Sequence, residues 1–105
     1  MIFTAAGRVN EAEIESAVRK VEKDFEPEVD RIRYSFGEDH LDAPAVFFRI
    51  VVRDEARPIT HLMDLAQRIS ITLMNEARTD ENDLHAYFRY RSVSEQQQLR
   101  DPAWD

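Results

Sequence analysis

Six arginines lie in three apolar segments of the chain, and within each segment the two arginines are two or four positions apart. They are Arg31, Arg33, Arg49, Arg53, Arg89 and Arg91. The only two lysines, Lys20 and Lys23, lie in a different segment. A guanidinium group binds carboxylate or phosphate through two parallel hydrogen bonds and also stacks on aromatic rings. If the fold brings these arginines to one face, the sequence predicts a surface that binds anionic groups.

Other reactive side chains give weaker signals. Glu38, Asp39, His40 and Asp42 form an acidic cluster that could hold a divalent cation. Their spacing is not that of an EF-hand and is ordinary for a turn. His61 and His85 are interpreted as surface or packing residues.

The sequence contains no recognisable catalytic motif. A nucleophile elbow, a phosphate-binding loop, a dinucleotide fingerprint and a metalloprotease helix are all absent from it. Ser92 and Ser94 are better placed to cap a short helix than to act as nucleophiles. We therefore predict a protein that is not an enzyme, with no catalytic residues, no metal ligands and no cofactor.

Length and composition limit the class of protein. A chain of 105 residues with 43% hydrophobic residues is enough for one domain with one core. It has no cysteine, and no apolar run long enough for a membrane span, so we expect a cytoplasmic protein without membrane contact. The net charge of −7 disfavours non-specific binding to nucleic acid.

Hydrophobic periodicity divides the chain into five elements. Helical spacing predicts helices over residues 10–26 and 58–78, the first capped by Asn10 and the second beginning near Pro58. Alternation predicts strands over 29–36, 45–53 and 84–91, the first two forming an antiparallel hairpin. We expect an N-terminal extension over 1–9, a domain over 10–91 and a polar C-terminal tail over 92–105.

The order helix–strand–strand–helix–strand predicts an α+β fold. Two helices would cover one face of a three-stranded sheet in a two-layer sandwich, a ferredoxin-like variant. Strand alternation then places the six arginines on the opposite, uncovered face, beside Phe47, Val51, Tyr87 and His85. Trp104 either packs back onto the domain or anchors a partner.

Three interpretations of this face remain open. In the first, the arginines are a solvated surface and pair with acids such as Glu95 and Asp101. In the second they form a protein interface, and in the third a platform for oligonucleotides. An interface would be formed with an acidic or mixed partner or with a second copy of the chain. Its predicted residues are Arg31, Arg33, Phe47, Arg49, Arg53, Tyr87, Arg89, Arg91 and Trp104.

Three phrases of the sequence resemble a family of small bacterial proteins. They are Arg33–His40, Pro44–Arg49 and His85–Gln96, and the resemblance covers most of residues 28–105. The family has no assigned activity and is associated with compact two-gene modules such as toxin–antitoxin pairs, so the resemblance implies a partner protein. In architecture the chain also resembles the ferredoxin-like cytoplasmic domains of cation-efflux transporters and, more loosely, the KH-type fold of ribosome-binding factors. The glycines do not form the Gly-x-x-Gly loop of a KH domain.

These observations favour a protein-interaction module, an antitoxin-like or adaptor subunit. The partner would be a protein encoded by a neighbouring gene, meeting the acidic helices, while the arginine face supports a homo-oligomer or a second contact. The alternative is a domain that binds RNA or single-stranded nucleic acid through arginines and aromatics, although the net charge makes nucleic acid a poor partner. A metal-responsive domain is the third hypothesis.

Overall fold

The computed structural model describes residues 11–54, 59–79 and 81–105, with backbone only for residues 59 and 60. The predicted N-terminal extension over 1–9, the cap at Asn10 and the helix start at Pro58 lie outside the described residues. Within them, the elements follow the order helix, strand, strand, helix, strand and a further short helix.

Helix α1 spans Glu11–Asp24 and contacts both the first strand and the second long helix. Its buried residues, Ile14, Ala17, Val18 and Val21, are three or four positions apart and therefore share one side of the helix. Acidic residues in the first turn interact favourably with the helix dipole. The helix ends three residues before Pro27, whose ring disfavours helical backbone in the residue before it.

Three strands form one mixed sheet. Strands β1 (Val29–Glu38) and β2 (Pro44–Val52) are antiparallel, and β3 (His85–Ser92) lies parallel to β2, giving the order β1-β2-β3. Helix α2 (Ile59–Ala77) connects the parallel pair. A parallel pair needs such a long crossover, whereas the hairpin is closed by a short turn. The predicted α+β fold with two helices against a three-stranded sheet is confirmed.

The main core lies between the sheet and the two long helices. Phe48, Ile32 and Ile50 of the strands belong to one buried apolar cluster together with Val18 of α1 and Ile69 of α2. Tyr34, Phe36, Phe88 and Tyr90 pack against its margin. Alternation along the strands therefore directs one set of side chains to this core and the other set to the opposite face.

The last residues of the chain form a cover on the opposite face. Helix α3 spans Val93–Leu99, and a 3-10 helix spans Pro102–Trp104. Ser92 and Glu95 form a capping box that begins α3, so one of the two serines predicted to cap a helix here does so. Residues 92–105, which the sequence suggested as a polar tail, thus contact β2 and β3.

Trp104 closes this cover. Its side chain is 2% exposed, so of the two predicted roles the tryptophan adopts packing onto the domain. Beneath the cover Val51, predicted to lie on an open face, is fully buried. The sequence predicted that the whole second face would be uncovered. In the structure the C-terminal helices cover part of that face, and the described residues leave the remainder open.

Candidate interaction site

Strand register aligns the arginine-bearing positions in rows across the sheet. Arg33 of β1 lies opposite Arg49 of β2, which lies opposite Arg89 of β3. One row toward α3, Arg31, Val51 and Arg91 are aligned in the same way. The predicted gathering of arginines on one face is therefore present in the backbone register, and the two rows differ in what surrounds them.

The row nearest α3 is occupied by the C-terminal cover. Arg31 donates from Nε to the carbonyl oxygen of Trp104 at 2.9 Å and also pairs with Asp30. The Arg91 guanidinium lies 4.2 Å from the centroid of the Trp104 ring and donates to Gln96 Oε1 at 2.9 Å. A cation over an indole face is a favourable electrostatic contact. These two arginines therefore hold the fold together and are not free for a ligand.

Two further arginines are paired at the margins of the sheet. Arg33 donates from Nε to the carbonyl oxygen of Asp105 at 3.0 Å and lies 3.6 Å from the Glu22 carboxylate. Arg53 lies just beyond the end of β2, where it contacts the Asp30 carboxylate at 3.2 Å. Of the six arginines predicted for the interface, four thus have partners within the protein.

Arg49 and Arg89 differ from the other four. Within residues 11–54, 59–79 and 81–105, neither side chain has a hydrogen-bond or ion-pair partner. Arg49 is half-buried and Arg89 is exposed, and the two occupy directly opposed positions on neighbouring strands. Like charges at such positions destabilise a sheet unless an anion lies between them.

Two aromatic rings lie beside this arginine pair. Phe47 and Tyr87 are also opposed in register, and their rings stack at 5.5 Å between centroids with an interplanar angle of 20°. On its β1 side Phe47 approaches Gly37 so closely that a Cβ there would lie 3.2 Å from the ring. Glycine at position 37 therefore makes room for the ring. We call Phe47, Arg49, Tyr87 and Arg89 the open arginine surface.

A buried carboxylate fixes the position of Tyr87. Asp39, in the turn between β1 and β2, accepts hydrogen bonds from the Tyr87 hydroxyl at 2.6 Å and from the backbone of Leu41 and Ala43. Its other neighbour is His85 Nδ1 at 3.0 Å. The Asp39 side chain is 2% exposed. The hydroxyl of Tyr87 and these backbone donors hold the pKa of Asp39 well below its usual range, and the same hydrogen bond raises the pKa of Tyr87.

This turn contains the acidic cluster that the sequence offered as a cation site. The Asp39 oxygens are occupied by the tyrosine, the histidine and the backbone. Among the residues that the structure describes, no group of three or more histidine, cysteine, aspartate or glutamate side chains is arranged to hold a metal ion. Nor is any helix of the described segments both long and apolar enough to cross a membrane.

The fold and this surface together define a small α+β protein with a partly open, basic sheet face. No family model, curated protein or solved structure that we compared matches the chain. The functional interpretation therefore rests on the site itself.

Sequence reasoning missed two parts of the site. One is the cover over Arg31 and Arg91, and its signal was present as the capping sequence Ser92–Glu95 before an apolar Leu99. The other is Asp39, which was considered as a cation ligand and not as a support for Tyr87. Strand register, which pairs distant positions, was needed to recognise that support.

Proposed function

We propose that the protein is a non-enzymatic interaction module that binds an acidic surface of a partner protein through the open arginine surface. The observation that carries this proposal is the pair Arg49 and Arg89, opposed on neighbouring strands and without partners among the described residues. A carboxylate between the two guanidinium groups would relieve their repulsion and accept paired hydrogen bonds from them. The stacked rings of Phe47 and Tyr87 add apolar contact area beside the charges.

The aromatic geometry favours a protein partner over nucleic acid. A base-binding platform needs a ring face on which a base can stack. One face of Phe47 is already stacked on Tyr87, and Gly37 lies beside an edge of the same ring, so that face is not available to a base. The net charge of −7 also opposes a polyanion that follows the surface over many phosphates.

The acidic helices contribute less to this proposal than the sequence suggested. On α1, Arg19 pairs with both Glu15 and Glu22, and Lys20 pairs with Asp24 at 2.9 Å. Much of the negative charge of α1 is thus compensated on the helix itself. A basic partner on the helices is therefore a weaker hypothesis than an acidic partner on the sheet.

The resemblance of three sequence phrases to a family from two-gene modules suggests where to look for the partner. We propose that it is the product of a neighbouring gene and that this chain acts as an antitoxin-like or adaptor subunit. Co-expression of the tagged protein with each neighbouring gene product, followed by affinity capture and size exclusion, tests this directly. We expect a stoichiometric complex with the parent protein and none with the double variant Arg49→Glu, Arg89→Glu.

The control for charge reversal is Lys23→Glu. It changes the net charge by half as much as the double variant, and it lies on α1, away from the open arginine surface. If the double variant still captures the partner, the result would contradict the proposal. The parent protein could instead bind single-stranded RNA, and only the arginine variants could lose that binding. In that case the open arginine surface binds nucleic acid, and the proposal of a protein partner is wrong.

A further inference from the structure

We propose that an extended acidic segment of the partner adds to the sheet as a fourth strand along the outer edge of β3. This inference rests on the proposed function and specifies how the partner would bind. It concerns the edge next to Arg89, where three observations coincide. The described residues place no further strand on this edge, an exposed arginine lies on one side of it, and exposed apolar side chains lie on the other.

The outer edges of β1 and β3 differ in what contacts their backbone. Along β1, the backbone N–H of Ile32 donates to Glu22 Oε2 at 2.7 Å, so a side chain from α1 occupies that edge. Strand β3 has eight residues, and the described part of the chain places no strand on the side away from β2. Every second residue of such a strand directs its N–H and C=O outward, which is a template for another strand.

The side chains on the sheet's open face are basic along this edge. From His85 to Ser92 the strand contains one histidine, two arginines and no acidic residue. Arg91 is held by Trp104 and Gln96, whereas Arg89 is exposed and the His85 side chain is 58% exposed. An added strand would place alternate side chains beside Arg89, and an acidic residue there would be stabilised by charge complementarity.

The other side of the edge is apolar. Ala86 and Phe88 are only partly buried there, and Tyr90 donates to the Ala66 carbonyl of α2 at 2.8 Å. Ser70 of α2 hydrogen-bonds the Tyr90 hydroxyl, so its side of the helix faces β3. Met63 and Met74 lie seven residues before and four residues after Ser70 and are therefore on the same side of α2. They are 71% and 38% exposed. Alternate apolar residues of an added strand would cover this side.

The partner segment is thus expected to alternate acidic and apolar residues over about eight positions. A second copy of this chain fits less well. Pairing β3 with another β3 would bring the basic residues of the two copies together, and like charges on adjacent strands are destabilising.

A synthetic peptide tests this geometry without knowledge of the partner. The probe is an acetylated and amidated octapeptide in which glutamate and valine alternate. A peptide of the same composition with the glutamates and valines in two blocks is the control for charge alone. Two further peptides carry N-methyl groups on the odd or on the even residues, because N-methylation removes the donors needed on one side of a strand.

We expect the alternating peptide to bind the parent protein and to slow hydrogen exchange at every second amide of β3. One N-methylated peptide should bind and the other should not. The block peptide should bind about tenfold more weakly, and Arg89→Glu should weaken the alternating peptide by a similar factor, whereas Lys23→Glu should not.

Several results would overturn the inference. Binding without protection of β3 amides would mean that peptides contact only the sheet face, and no binding of the alternating peptide would exclude strand addition. Concentration-dependent dimers with protected β3 amides would show that a second copy occupies the edge. In each case the capture experiment is independent of strand addition. If capture of the partner still requires Arg49 and Arg89, the proposed function holds although the strand-addition inference fails.

Discussion

The Arg91 guanidinium lies over the ring of Trp104 at 4.2 Å from its centroid, and this contact joins β3 to the last turn of the chain. Arg31 holds the same tryptophan by its carbonyl oxygen. Between them these contacts fix a short 3-10 helix that has only three residues and little stability of its own. The cover over Val51 therefore depends on one buried aromatic side chain.

Trp104→Ala should destabilise the protein by about 3 kcal/mol, because it removes a large buried ring and the cation contact with it. The measurement is urea unfolding followed by circular dichroism, since the substitution removes the only tryptophan. Leu99→Ala is the matched control in the same segment, because Leu99 is 60% exposed and should change stability by less than about 0.5 kcal/mol. Equal effects of the two substitutions would contradict the packing role of Trp104.

Arg89→Glu should stabilise the protein by about 0.5 kcal/mol while it weakens partner binding. The substitution replaces a like-charge pair with an opposite-charge pair at the position opposed to Arg49. The gain should fall in high salt, because the pair is near the surface. Urea unfolding of the parent and the variant at low and at high salt measures the effect. A variant less stable than the parent in low salt would show that Arg89 already has a stabilising partner.

Asp39→Asn should lower stability at neutral pH and lose that effect in acid. The Asp39 pKa is held well below its usual range, first by the Tyr87 hydroxyl, so the folded state binds this proton less readily than the unfolded chain. The carboxylate therefore stabilises the fold above pH about 4, and this contribution is lost as the pH falls through the native pKa.

Melting temperatures of the parent and Asp39→Asn between pH 7 and pH 2 measure this dependence. We expect a constant difference above pH about 5 that shrinks as the solution is made more acidic. Asp42→Asn is the control, because Asp42 lies in the same turn with a positive φ of 59° that asparagine also tolerates. A difference that grows in acid would reverse the sign of the proposed linkage.

Ser92→Ala should cost about 1 kcal/mol by removing one half of the capping box. The Ser92 hydroxyl accepts from the backbone N–H of Glu95 at 3.1 Å, and the Glu95 carboxylate accepts from the Ser92 N–H at 2.8 Å. A double-mutant cycle with Glu95→Ala, measured by urea unfolding, should give a non-additive energy between the two sites. Gln98→Ala, at an exposed position of the same helix, should be close to neutral.

The sequence predicted the layers of the fold better than it predicted the site. Alternation through Ile32, Tyr34 and Phe36 was sufficient to assign the sheet faces, because burial on one face determines the direction of every second side chain. The same pattern could not predict which arginines would be paired. Arg31 and Arg89 look alike in sequence, yet Arg31 donates to the carbonyl oxygen of Trp104, more than seventy positions away, and Arg89 is exposed.

The hydrogen bond between Asp39 and Tyr87 could not be predicted from the sequence for the same reason. Their contact spans 48 positions and depends on the parallel register of β2 and β3, which local sequence does not specify. Hydrophobic periodicity is a local signal, whereas hydrogen bonds between side chains on different strands are set by tertiary packing.

The mixed pairing of the sheet also has a kinetic consequence. The β1–β2 hairpin closes through a short turn, whereas β3 reaches β2 only after the chain has passed through α2, which makes its docking the costlier loop closure. The repulsion between Arg49 and Arg89 therefore arises late, when β3 docks. We expect Arg89→Glu to slow unfolding more than it speeds folding, so that removing the binding surface would also lengthen the lifetime of the native state.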